Sequence, residues 1–251
     1  MIFHPRLMAV AATLAVLTVQ PSHAHDFIVY PDATSVAEGE ALPLSATVTE
    51  VYIRLDRLPP EDTSVELLSP EGAVTVPMAA EGETGAMTGT ATAPTGDVFL
   101  LHGVSRRSRP VSRDPAEADG PILQMEWFSK AVINASAGAD GYAQTVGDRI
   151  EIIPLVNPAD LKPGNTMSVK VLLDGKPVAT RVQATYAGFS DKEHGVIART
   201  ASNEDGLAWF TVTEPGLWFV KAKVVLDEKG EGYDRYEGAA NLLFGVNEAT
   251  R

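Results

Sequence analysis

Apolar and polar positions alternate along much of this chain with a period of two. Leu42, Leu44, Ala46 and Val48 alternate with polar or small neighbours, and Phe27 and Val29 open the same rhythm. That period marks a strand with one buried face. Val51-Tyr52-Ile53, Val65–Leu68, Val74–Met78 and Val98–His102 follow as apolar runs, punctuated by turns such as Ser69-Pro70-Glu71-Gly72.

The rhythm is cleaner from Asp148 onward. Ile150–Val156, Met167–Leu173, Val182–Phe189, Leu207–Val212, Leu217–Leu226 and Ala239–Val246 are predicted strands. Asp174-Gly175 predicts a two-residue hairpin turn. Trp209 and Trp218 alternate with apolar neighbours and are expected in the core. The pattern predicts an all-β fold of two immunoglobulin-like or transthyretin-like β-sandwich domains, residues 25–103 and 148–247. Residues 104–147 are expected to connect them. Within that connection, Ser105-Arg106-Arg107-Ser108-Arg109-Pro110 reads as a solvated basic loop, and Ile122–Ala135 as a strand.

Residues 1–24 break the pattern and read as a secretory signal. Arg6 supplies the positive region, Leu7–Val19 the apolar one, and Ser22-His23-Ala24 the small residues of a cleavage site. The apolar run is about 13 residues, short of the ~20 needed to span a bilayer. The expected product is periplasmic, not membrane-spanning, and begins at His25.

With 33 acidic and 20 basic residues, the net charge of −13 argues against nucleic acid as a partner. Cysteine is absent, which removes disulfides, thiolate metal sites and thiol nucleophiles. No nucleophile elbow, zinc-protease helix, phosphate-binding loop or dinucleotide fingerprint occurs, and the chain is read as non-enzymatic. The acidic stretch Asp227-Glu228-Lys229-Gly230-Glu231 lacks the ligand spacing of a calcium loop and reads as a solvated hairpin.

A set of segments carries a family resemblance: His25-Asp26-Phe27, Ser129-Lys130-Ala131, Ile153–Pro158, Lys162-Pro163-Gly164, Val171–Pro177 and Gly216–Ala222. With these the chain resembles an exported family of unknown function labelled as nickel-transport-component-like. The likeness covers most of the chain after residue 24. It implies an all-β protein associated with nickel or cobalt uptake and a membrane metal transporter as partner.

The candidate chemistry is a metal site. A cut after Ala24 would place an α-amine and an imidazole on His25, and such a pair chelates Cu(II) or Ni(II). His102 is the first candidate for a third ligand and His194 the second. Asp26 would orient the ring or ligate directly. Against this, His102 alone reads as structural, and His194, in the polar loop Ser190–Gly195, as solvated. The expected function is metal binding or metal-uptake assistance with nickel, cobalt or copper. The alternatives are a non-catalytic interaction module for a protein or polymer, and a mono-copper enzyme built on the amine-terminal histidine.

Overall fold

The computed structural model describes residues 25–248 apart from 53, 81–84, 97 and 137. The expected signal segment, residues 1–24, lies outside the described residues. The first half of the chain forms strands β1 (Asp26–Pro31), β2 (Ala41–Thr49), β3 (Thr63–Ser69), β4 (Gly72–Thr75), β5 (Met78–Ala80), β6 (Met87–Thr92), β7 (Phe99–Pro110) and β8 (Ile122–Ile133). The second half forms β9 (Ile150–Pro154), β10 (Thr166–Leu173), β11 (Lys176–Pro177), β12 (Arg181–Tyr186), β13 (Ala198–Ala201), β14 (Leu207–Thr211), β15 (Gly216–Leu226) and β16 (Arg235–Val246). Helix is limited, among the described residues, to three short 3-10 turns. The fold is all-β, built of sandwiched sheets.

A central sheet of eight strands runs in the order β13-β12-β15-β16-β8-β7-β3-β4. Its two halves come from the two halves of the sequence and meet where β16 pairs parallel to β8. Residues 104–147 do more than connect: they supply most of β7 and all of β8, two strands inside this sheet. Strands β1, β2, β6 and β5 form an outer sheet on one face, and β9, β10, β11 and β14 form another on the opposite face. The two expected cores are therefore the two sides of one sheet. On β8, Phe128 and Val132 enter one core while Trp127, Ala131 and Ile133 enter the other. Burial of both faces explains the unbroken apolar runs Trp218-Phe219-Val220 and Leu242-Leu243-Phe244.

Trp218 is fully buried, as expected, stacked on Phe210 and donating its indole N–H to the carbonyl of Glu214 at 2.8 Å. Trp209 is not in the core. Its neighbours Ala208 and Phe210 point inward, so alternation on β14 turns Trp209 outward, where it is 56% exposed.

Strand β1 lies across the central strands instead of along them. Lys221, Asn241, Ser129 and Gly103 stand side by side on β15, β16, β8 and β7. Asp26 pairs with Lys221, Asn241 Nδ2 donates to the carbonyl of Phe27 at 2.6 Å, and Val29 N–H donates to Ser129 Oγ at 2.9 Å. At Gly103 a Cβ would collide with Val29 and lie 3.0 Å from the Phe27 ring, so glycine is required for this close approach. Ser129 within the quoted Ser129-Lys130-Ala131 segment is thus an anchor for β1.

Candidate functional site

The anchoring of β1 places His25 at the edge of the outer sheet. Asp26 is fully buried and paired with Lys221, and its charge acts on the Tyr52 hydroxyl. Burial and then the Asp26 charge hold the Tyr52 hydroxyl well above its ordinary range. Asp26, expected as a ligand or ring partner, is committed to this internal pair; the side chain that meets His25 is Glu50.

Nε2 of His25 lies 2.5 Å from Glu50 Oε1, which also accepts from Arg57 Nη2 at 3.2 Å. The backbone carbonyl of Glu50 accepts the N–H of His194 at 2.9 Å. His194 is half-buried rather than solvated. It has φ +53°, its ring sits edge-on to Tyr52, and its buried Nε2 has no hydrogen-bond partner among the described residues. Burial and then Arg57 lower the pKa of His25 below the ordinary imidazole value, against the pull of Glu50. The balance favours the neutral ring.

His102 is not brought to this corner. Leu101 and Gly103 on β7 face β1, so alternation sends His102 to the other face, where Nε2 lies 2.9 Å from Asp148 Oδ1 and 3.0 Å from Oδ2. Beside it, Lys130 donates to Glu151 at 2.7 Å and to the carbonyl of Gln144 at 3.1 Å. Glu151 also accepts from the backbone N–H groups of Val146 and Gly147. His102 belongs to this closed structural cluster. Among the described residues no three His, Asp or Glu side chains are grouped to hold a metal ion. The residues fit a metal only if His25 supplies two of the donors.

Next to His25 opens a cleft of about 750 Å³. Its floor is the part of the central sheet that the outer sheet leaves uncovered, with Met125, Trp127, Glu237, Arg107 and Arg109. One wall is the segment from Arg57 to Pro60, and the other is the turn carrying Ser112, Arg113, Asp114 and Pro115. The basic cluster read as a solvated loop is the end of β7. Twelve residues of pairing with β8 override its loop-like composition. Strand alternation then puts Arg107 and Arg109 into the cleft, while Arg106 on the other face pairs with Glu126 at 3.2 Å. Burial and then Arg113 lower the Arg109 pKa, with Arg107 adding to the effect. The arginine spacing at i and i+2 was the signal for this; nothing in the sequence pointed to Glu50.

A DUF4785 family protein from Legionella pneumophila is 14% identical with a TM-score of 0.30, over 77% of this chain and 52% of that one. The chain therefore spans about half the length of that protein. The D0-D1 domain of intimin is 18% identical with a TM-score of 0.23, over 88% of this chain and 98% of that one. A Salmonella alpha-2-macroglobulin mutant is 11% identical with a TM-score of 0.23, over 89% of this chain and 15% of that one. No curated protein gives a significant match. A family model matches residues 22–225, and the chain accordingly belongs to the family described as "Domain of unknown function (DUF4198)".

Proposed function

We propose that this chain is an exported, non-catalytic metal-binding protein that assists a membrane transporter in taking up nickel, cobalt or copper, with His25 as the residue that holds the ion. The observation that carries the reading is the Glu50 carboxylate 2.5 Å from Nε2 of His25. A carboxylate there holds the ring proton on Nε2 and leaves the Nδ1 lone pair free, which is how ligating imidazoles are commonly oriented. Cleavage after Ala24 puts the α-amine on the same residue, and amine and Nδ1 together suit Cu(II) or Ni(II). A site with two protein nitrogens leaves positions for the partner's ligands, which suits hand-over. His194, tied to the same Glu50, is the imidazole that replaces His102 as a further candidate.

The test is a titration of Ni(II) and Cu(II) into protein beginning at His25, into a form with one alanine added before it, and into Glu50→Gln. The added residue should abolish chelation, and Glu50→Gln should weaken it by about 10- to 100-fold. Affinity should fall as pH drops through the amine pKa near ~7.7, because the amine must lose its proton to ligate. Equal affinity in the extended form would show that the amine is no ligand and would end this reading.

A further inference from the structure

The cleft beside His25 gathers positive charge in excess of its acidic lining, with Arg57, Arg107, Arg109 and Arg113 against Asp114 and Glu237. Among the described residues Arg107 and Arg113 form no ion pair, and Arg109 directs Nη1 at the carbonyls of Pro110 and Val111. The two acidic residues of the lining are already engaged. Glu237 accepts from Lys223 at 2.7 Å, and Asp114 accepts the backbone N–H of Ala116 at 2.9 Å. Arg57 is held by Glu50. Besides the paired Arg57, three arginines in no ion pair among the described residues therefore share one cavity in a chain of net charge −13, where acidic partners are abundant elsewhere. Arg106, one position away on the opposite face, has found such a partner in Glu126.

The same cavity has apolar surface. Trp127 and Met125 form its floor and Leu58, 48% exposed, its wall. The volume lies within the range of small-molecule sites. Arg107 and Arg109 are two strand residues apart, about 6.6 Å along β7. That spacing suits separate anionic groups on one molecule better than the clustered oxygens of one phosphate.

We propose that this cleft binds an organic polycarboxylate with an apolar body. The guanidinium groups of Arg107, Arg109 and Arg113 take its carboxylates, and Trp127, Met125 and Leu58 take its hydrocarbon. Guanidinium forks match carboxylates two hydrogen bonds at a time, which favours arginine over lysine for this task. The proposal needs no metal on His25, which lines the same cleft.

The test uses metal-stripped protein, dialysed free of chelator, at low ionic strength, where the charge interaction is least screened. Benzene-1,3,5-tricarboxylate is the probe, with citrate and inorganic phosphate as comparators, titrated by calorimetry. Saturable binding should be strongest for the aromatic tricarboxylate. Arg107→Gln combined with Arg109→Gln should weaken it about tenfold or more, the effect of losing charge-assisted hydrogen bonds. Arg113→Gln, in an exposed turn where folding is not at stake, should also weaken it. Arg106→Gln, which removes the same charge from the other face, should leave it unchanged. The proposal fails if the tricarboxylate does not bind at millimolar concentration, if phosphate binds as tightly, or if Arg106→Gln costs as much as the other arginine variants.

Discussion

The two faces of the central sheet treat charge in opposite ways. Toward β9, the side chains of Lys130 and Glu151 are each 4% exposed, and both groups are engaged by one another and by backbone. His102 and Asp148 stand beside them in the same closed cluster. Burial lowers the Lys130 pKa, and Glu151 opposes that shift. Toward β1 the sheet is covered only in part, and where cover ends the arginines face open space. A buried, paired charge holds a structure together, whereas unpaired like charges around a cavity are an arrangement that folding alone does not favour. The contrast separates histidines as well: His102 is internal and engaged, while His25 stands at the rim of the open cleft.

The largest effect should come from the closed face. Lys130→Ala leaves Glu151 buried without its cation and should cost about 3–5 kcal/mol in urea unfolding. Combining Lys130→Met with Glu151→Gln should recover part of that loss, since the uncompensated charge is removed while an acceptor for the Val146 N–H is kept. A loss under 1 kcal/mol for Lys130→Ala would remove the distinction between the two faces, by the same reasoning about buried charge. Gly103→Val tests the covered part of the other face. It forces a side chain between β7 and β1 and should cost about 1–3 kcal/mol by overpacking. The smallest effect belongs to the cleft, where Arg107→Gln should change stability by no more than about 0.5 kcal/mol. A large loss there would mean that the arginine supports the fold and is not free for a ligand.

Much of the fold was legible because its determinants are local. Alternation on Met167–Leu173 and the long apolar run Leu217–Leu226 mark both as strands, and Asp174 and Gly175, at φ +49° and +71°, form the predicted hairpin turn. Alternation alone did not say which phase faces inward, and for Trp209 that choice came from the packing of Ala208 and Phe210. The basic stretch at 105–110 showed the other limit. Its composition is that of a loop, yet pairing with β8 makes it a strand, and only a strand sends Arg107 and Arg109 to one side together.

The sequence by itself determined the β character and turns such as Asp174-Gly175, because neighbouring residues settle these through periodicity and backbone preference. The tertiary structure decided that one sheet runs through both halves of the chain, that β1 crosses it, and that His25 meets Glu50 while His102 meets Asp148. Those outcomes depend on pairings such as Asn241 with Phe27, 214 positions apart. No spacing rule relates such residues; they meet because apolar faces on distant strands must be buried together, and the polar groups beside them must then find partners where the packing leaves them.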